Sequence, residues 1–367
     1  MSGSAGEVAF YAPMKPPDHA NPSGDRRIAR LMQRALERSG RAVFLASRLR
    51  TRDGAGDPAH QAQLCAQAEA AAARLIAGLA DAPPALWFTY HCYYKAPDLI
   101  GPAVTAALRI PYVVAEGTRA PRRLSGPWAR FAARAEDALD RASVIFWLTD
   151  RDLPMLEAAR PPDQRLVHLP PFTALGAAAA RPVSRDGPLR LLAVAMMRAG
   201  DKLVSYRALA AALSLLGDVD WRLTVAGDGA AAPEVRAAFA PVAARVTWAG
   251  RLDARPALHA LYAESDLLVW PGVNEAFGMV YLEAQAMGRA VVAEDRAGVR
   301  AVVAPACALT PPGDPSAFAA AIRRFALDRA ALAGAGRAAR AHMRAHHGVN
   351  AAAARLNAGL EGIGWRG

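Results

Sequence analysis

The sequence predicts an α/β protein of two doubly wound, parallel-sheet (Rossmann-like) domains facing a cleft, with a C-terminal helix packing back on the first domain. Three observations predict this. Short apolar runs alternate with helical patterns of roughly 10–15 residues through both halves of the chain, which is the signature of parallel sheets with right-handed crossovers. A Pro-, Ala- and Gly-rich stretch with little periodicity, about residues 169–190, separates the halves. The 367 residues are 53% hydrophobic and 21% charged, which is globular composition and enough chain for two domains. The expected division is an N-terminal domain at 1–180, a C-terminal domain at 188–345 and a helical segment at 346–367.

The first half opens with EVAFYAP as a short buried strand running into a Pro-rich loop. DRRIARLMQRALERSG follows, with Ile28, Leu31, Met32, Ala35 and Leu36 at helical spacing and Gly40 as its stop. AVFLAS, ALWFTYH, PYVVAEG and SVIFWLT read as further strands, separated by an alanine-rich helix, the helix PDLIGPAVTAALRI and the helix WARFAARAEDALDRA. The second half restarts with strand LRLLAVA, then alternates SYRALAAALSLL, WRLTVAG, PEVRAAFAPVA, VTWAG, ALHALYAES, DLLVWPG, MVYLEAQAMG and AVVAED. From about Asp314 the chain reads as helical and is expected to pack on the first domain.

Composition also excludes. No apolar run approaches the ~18 residues that a membrane-crossing helix needs, and the N-terminal MSGSAGEVAFYAP lacks the basic start and hydrophobic stretch of a secretory signal. Three distant cysteines, Cys65, Cys92 and Cys307, form no CxxC pair, which disfavours a disulfide framework or zinc site and fits a reducing cytoplasm. The formal charge of +11 is carried almost wholly by arginine, without a zinc finger, a basic leucine zipper or an RNA-binding aromatic motif, so nucleic acid is not an expected partner. Lysine occurs only at Lys15, Lys95 and Lys202, each in a predicted loop after a strand.

Residues 271–288, PGVNEAFGMVYLEAQAMG, concentrate the chemistry. Ligands of open parallel sheets collect at the carboxyl ends of strands, where crossovers diverge. Here strand DLLVWPG ends and a helix opens at Gly278, so the amides of Gly278, Met279 and Val280 are unsatisfied donors suited to a phosphate, beside Phe277. Glu283, about one turn further, can accept two hydrogen bonds from a ribose diol, while Glu275 precedes the turn and faces whatever lies beyond the phosphates. Taken alone, the pattern also fits an ordinary helix with Glu283 on its solvent face. Arg198 and Lys202, in the loop after the domain's first strand, add the positive charge a diphosphate needs. The glycines of VAGDG (Gly227) and AGRL (Gly250, followed by Arg251) end two more strands on the same rim and let backbone approach a base or ribose. No GxGxxG fingerprint follows the first strand of either half, which disfavours a dinucleotide-dependent dehydrogenase.

The ordered series VAMMRAGDK, LTVAGDG, VTWAGR and LYAESDLLVWPGVNEAFGMVYLEAQAMGRAVVA resembles the donor-binding half of family 4 glycosyltransferases, which have the GT-B fold. The resemblance covers roughly 110 residues continuously, and LPPF and AEDALDRASVIFWLT extend it weakly into the first half. It implies a retaining, metal-independent transferase using a UDP- or GDP-sugar. Glu275 then matches the first glutamate of an E-x7-E motif, near the donor sugar, Glu283 the second, on ribose, and Arg198 and Lys202 hold the diphosphate. The implied acceptor is a glycan, a lipid-linked glycan or a small molecule, as in polysaccharide biosynthesis. Relatives commonly place a histidine near the donor sugar after a strand of the first domain. VVAEGT offers Glu116 there instead, and His91 closes the preceding strand. Lys15, Gly24 and Lys95 sit in neighbouring strand-end loops on the acceptor side.

The DxD matches Asp218–Asp220 and Asp150–Asp152 lack metal-site context, so no metal or other cofactor is expected. Arg26, Arg30, Arg34 and Arg38 recur on one helix face, and APRRLSGPWARF interleaves arginine with Leu124, Trp128 and Phe131. These stretches suit either a solvated face or peripheral contact with the inner face of a membrane. Two other functions remain open from sequence: a sugar-nucleotide epimerase of the same fold, and a non-catalytic nucleotide-sugar-binding protein.

Overall fold

The computed structural model describes residues 6–21, 23–174, 182–183, 186–252 and 254–361. The chain divides into two compact units, residues 1–170 with 349–367, and residues 171–348. Each contains one six-stranded sheet whose recorded strand pairings are all parallel.

In unit one the strands are β1 (Val8–Tyr11), β2 (Val43–Ser47), β3 (Leu86–Cys92), β4 (Tyr112–Gly117), β5 (Val144–Trp147) and β6 (Arg165–His168), in the order β2-β1-β3-β4-β5-β6. Their crossovers carry α1 (Gly24–Arg38), α2 (Pro58–Leu79), α3 (Gly101–Leu108), α4 (Ala129–Arg141) and α5 (Leu153–Ala158). Helix α1 forms because Ser23 caps it, accepting from the Arg26 amide, and because Ile28, Leu31, Met32, Ala35 and Leu36 line its buried face as the spacing predicts. Burying each of the larger of these side chains is worth about 1.5–3 kcal/mol. Alternate strand residues supply two cores. Ala9, Tyr11, Trp87, Val114 and Ile145 meet α2, α3 and α4 on one face. On the other, Phe10, Phe88 and Phe146 form an aromatic row with centroids 6.0 and 6.3 Å apart.

Unit two has β7 (Leu189–Val194), β8 (Trp221–Ala226), β9 (Val246–Gly250), β10 (Leu267–Val269), β11 (Ala290–Glu294) and β12 (Ala308–Thr310), in the order β12-β11-β10-β7-β8-β9. Its helices are α6 (Asp201–Ser214), α7 (Ala232–Ala238), α8 (Arg255–Glu264), α9 (Met279–Ala286), α10 (Ala297–Arg300), α11 (Pro315–Leu327) and α12 (Arg329–His346). The C-terminal segment does not all return to the first unit. Helices α11 and α12 pack against α6, α9 and β11 within unit two. The last helix, α13 (Val349–Leu360), belongs to unit one and packs along α1. Gly359 lets the helix also lie close on β5, because a Cβ there would lie 2.4 Å from the Phe146 ring. Arg41 and Arg165 fasten the helix by hydrogen bonds to the Asn357 side chain and the Gly359 carbonyl.

The strand orders fix where sites can form. In unit one the crossovers diverge between neighbours β1 and β3, and in unit two between neighbours β7 and β10. Such a switch point opens a crevice at the carboxyl ends of its two strands.

Candidate active site

In unit two the switch point is flanked by the start of α6, after β7, and by the loop after β10, residues 270–278. The predicted loop at Arg198–Lys202 is shorter than expected from sequence: α6 begins at Asp201, capped by Gly200 in a left-handed conformation with no side-chain cap. Lys202 therefore stands in the first helical turn. Three contacts tie that turn to the β10 loop. Asp201 Oδ2 accepts from Asn274 Nδ2 at 2.9 Å, Ser205 Oγ accepts from the Val273 amide at 3.0 Å, and the Lys202 ammonium pairs with the Glu275 carboxylate. Trp270 Nε1 donates to the same Glu275 oxygen at 3.1 Å, and Lys202 Nζ lies 5.7 Å from the Trp270 ring centroid. Glu275 is thus held at the crevice by a cation and an indole, with 15% of its side chain exposed. Lys202, expected on a diphosphate, is engaged by the Glu275 carboxylate. Arg198 is exposed, with no ion-pair partner among the described residues.

Helix α9 opens at Gly278, as predicted. Its φ of 73° and the 2.6 Å that would separate a Cβ from the Tyr281 ring both require glycine. Tyr281 in turn donates to the Trp270 carbonyl at 3.1 Å, closing the turn from below. The amides of Gly278, Met279 and Val280 donate to no acceptor among the described residues, and all three residues are half-buried rather than covered. Phe277 is buried beside them. Glu283 is not on a solvent face. It is 7% exposed, and its Oε2 accepts from the Tyr262 hydroxyl of α8 at 2.8 Å.

The glycine reading of the rim is corrected in part. A Cβ on Gly227 would lie 1.8 Å from the Ala195 carbonyl oxygen. The neighbour this glycine admits is therefore the protein's own loop after β7. Hydrogen bonds from Ala195 to Ala226, Met197 to Asp228 and Gly227 to Gly250 lace the loops after β7, β8 and β9 into one rim. Gly250 (φ 65°) turns the chain out to exposed Arg251.

In unit one the predicted residues fall into two groups. His91 is the penultimate residue of β3 and Glu116 that of the neighbouring β4, and both are non-glycine residues in the left-handed region, with φ of 63° and 60°. Such strain clusters at functional positions. His91 Nδ1 lies 3.0 Å from Asp25 Oδ1, in the first turn of α1 just after Gly24. Burial and the charge of nearby Asp25 raise the Glu116 carboxyl above the usual carboxylate range, although His91 pulls the other way, and its Oε2 is buried without a hydrogen-bond partner. Lys15 is near enough to Asp25 to feel its charge, while burial and Arg50 lower the lysine's pKa. Lys95 goes elsewhere. Its ammonium lies 5.1 Å from the Trp128 centroid, on an aromatic patch with Tyr94 that also carries Arg123. Of the arginines at 26, 30, 34 and 38 of α1, Arg26 and Arg30 are used internally, holding carbonyls of the loop at Pro17, His19 and Ala20. Arg119 is buried against Glu136 and Asp140.

Sequence reasoning missed Asp25, Tyr262, Asp201, Ser205 and Trp270. Asp25, Tyr262 and Trp270 contact predicted residues directly, Asp201 and Ser205 hold the loop that carries Glu275, and only the position of Asp25 at a helix start after a strand was visible in the chain. Among the described residues no group of three or more His, Cys, Asp or Glu is arranged to hold a metal ion, and no helix is long and apolar enough to cross a membrane. Asp218 pairs with Arg323, and Asp152 accepts from Thr118 and Thr149.

Residues 188–328, which contain the whole unit-two arrangement, match the family model of glycosyl transferases group 1. The Anabaena protein HepE, solved with UDP, aligns over 97% of this chain and 100% of its own at a TM-score of 0.70 and 16% identity. The fold is GT-B. Sucrose-phosphate synthase of Thermosynechococcus elongatus shares this fold over 96% of this chain and 97% of its own, at a TM-score of 0.68 and 18% identity. In sequence, the D-inositol 3-phosphate glycosyltransferase of Streptomyces avermitilis is 37% identical over 123 residues. That match spans 32% of this GT-B chain and about a quarter of the relative's length, 26%.

Proposed function

We propose that the protein is a retaining, metal-independent glycosyltransferase that moves a sugar from a nucleoside-diphosphate sugar to a glycan, lipid-linked or small-molecule acceptor, in the cytoplasm or at the inner face of the membrane. The observation that carries this reading is the unit-two switch point. Glu275 is held by Lys202 and Trp270 beside three unengaged amides, with Glu283 anchored one turn into the same helix. Unengaged amides at a helix start suit a phosphate, and a carboxylate on either side suits sugar hydroxyls. The group 1 match over this segment and the UDP held by the related HepE fold support a UDP-sugar as donor, with a GDP-sugar as the alternative base.

In this reading the diphosphate displaces Lys202 from Glu275. The ammonium, Arg198 and the amides of Gly278–Val280 then stabilise the negative charge that develops on the departing diphosphate. Glu275, released from its ion pair, accepts from donor-sugar hydroxyls. Glu283 accepts from ribose, with Tyr262 holding its second oxygen, Gly250, Arg251 and Phe277 border the base, and Gly227 shapes the rim behind them. Unit one supplies the acceptor side through His91, Glu116, Lys15 and Gly24, with Lys95 on the adjoining aromatic patch.

The test is thermal stabilisation by UDP and by GDP, followed by UDP release from UDP-glucose with and without candidate acceptors. Stabilisation by one nucleoside diphosphate, and turnover abolished in Glu275→Ala, support the reading. Indifference to both nucleotides sinks it, as does full activity in Glu275→Ala.

A further inference from the structure

Unit one has a crevice of its own at the divergence of β1 and β3, and an ionisable cluster lies at its mouth. Asp25 enters it from the first turn of α1. His91 enters from the end of β3, Glu116 from the end of β4, and Asp152 from the residue preceding α5. The His91 ring stacks on Tyr93 with centroids 4.7 Å apart and planes 27° from parallel. Its Nδ1 faces Asp25 Oδ1 at 3.0 Å, and 17% of the imidazole side chain remains exposed. A left-handed histidine persists only where its surroundings enforce it. Here the enforcement comes from a carboxylate on one nitrogen and a ring on one face.

We infer that Asp25 is a positioning residue for His91: its carboxylate takes the Nδ1 proton, fixes the ring's tautomer and aim, and leaves Nε2 as the atom that meets the substrate. This rests on the proposed role of His91 on the acceptor side. The chemistry follows from which nitrogen is committed. A carboxylate only accepts, so Nδ1 must be the protonated nitrogen. Nε2 is then a bare acceptor when the ring is neutral and a donor when it is charged, and the same orienting logic operates in acid–base pairs generally.

The charges around the ring shift the balance toward the second state. Burial pushes the imidazolium down, but Glu116, Asp25 and Asp152 together outweigh it, and the His91 pKa is raised above 6.5. Burial also opposes ionisation of Asp25, yet the His91 hydrogen bond and charge win and its pKa lies below 3.8. Glu116 and Asp152 act from β4 and from before α5, Tyr90 packs beside Glu116, and Lys15 faces Asp25 from the β1 loop. Of these groups Asp25 alone is hydrogen-bonded to the ring. A charged Nε2–H offered at the crevice among these carboxylates suits an oxygen that gains negative charge, such as that of a sugar hydroxyl.

The test uses the full chain with isotope-labelled histidine and follows the His91 ring through a pH titration in wild type, Asp25→Asn and Asp25→Glu. Asp25→Asn keeps the shape and removes the charge, so the His91 midpoint should fall by about one pH unit or more. The kcat/KM limb governed by His91 should move by the same amount, with UDP stabilisation unchanged. Asp25→Glu should restore the midpoint most of the way, and it reads the pairing even where Asp25→Asn folds poorly. An unmoved midpoint in Asp25→Asn, or one in Asp25→Glu as low as in Asp25→Asn, overturns the inference. If no sugar is transferred at all, the proposed function fails while the titration still decides Asp25. If transfer proceeds with the limb unmoved, the positioning role alone is lost.

Discussion

Replacing Lys202 by methionine separates a structural lysine from a functional one. The side chain keeps its length and apolar stem but loses the ammonium that pairs with Glu275, leaving that carboxylate with the Trp270 indole at 3.1 Å. Exposed pairs are worth under about 1 kcal/mol, and breaking a fully buried pair by removing one partner costs about 3–5 kcal/mol. Lys202 and Glu275 are 26% and 15% exposed, and Glu275 keeps one donor, so the loss falls between these limits, about 1–2 kcal/mol. In a unit of this size that lowers Tm by roughly 2–8 °C. Function should suffer far more, because the same ammonium is assigned to the departing diphosphate, and a lost electrostatic contact of this kind costs about 10²–10³-fold in kcat. Thermal scans with and without UDP, beside kcat for UDP release, give both numbers on one preparation. A variant that loses the expected stability yet binds UDP and turns over as wild type shows that Lys202 serves only to hold the β10 loop, and the reasoning fails.

Gly227→Ala forces a Cβ to within 1.8 Å of the Ala195 carbonyl oxygen at a φ of 146°, so the laced rim must shift. Urea denaturation should show a loss of about 3 kcal/mol, accompanied by weaker UDP stabilisation; a fully stable variant would mean the loops are slack. Tyr262→Phe removes the 2.8 Å donor to buried Glu283 and should cost about 1–3 kcal/mol, with UDP affinity falling more than that of a ribose-free diphosphate. Equal losses for the two ligands would detach Glu283 from ribose. The pH dependence of stability follows from three shifted groups in unit one. The Asp25 contribution is complete above 3.8 and is lost as pH falls through its lowered value. The His91 contribution is complete below 6.5 and is lost as pH rises through its raised value, and Glu116, raised from 4.5, adds a penalty in the same direction. Melting temperature should therefore decline on the alkaline side of pH 6.5, with a shallower decline in His91→Gln, and a flat or rising profile there contradicts the charges assigned to the cluster.

Much of this architecture was legible because burial imposes a period. The apolar spacing in α1 and the continuous runs in β1, β3, β7 and β11 leave one way to hide those side chains. What was not legible had no period to show. Strand β6, RLVH, lies at a sheet edge with only partial burial, and β12 is three residues long. Neither needs an apolar run. The start of α6 was placed too late because its cap is a left-handed glycine rather than a Ser, Thr or Asp side chain, so Asp201 and Lys202 read as loop. The carboxylates of the β10–α9 element were recognisable because they lie in one local segment. Their partners were not, since Lys202 is 73 positions from Glu275, Tyr262 is 21 from Glu283, and Asp25 is 66 from His91. A contact between distant residues leaves no mark on local sequence when one partner is an ordinary helix residue.

The two switch points share a geometry and differ in sign, and the difference has a local cause. In unit two the chain leaves β10 through a glycine turn into α9, so backbone donors face the crevice and α6 adds an ammonium across from them. That combination favours an anion. In unit one the chain leaves β3 and β4 through left-handed His91 and Glu116, residues with side chains, and α1 presents Asp25 from its first turn. Carboxylates surround an imidazole there, so this crevice favours a ligand with exchangeable protons over a bare polyanion. One doubly wound plan thus favours an anion or a hydroxyl ligand according to whether backbone amides or titratable side chains face the switch point.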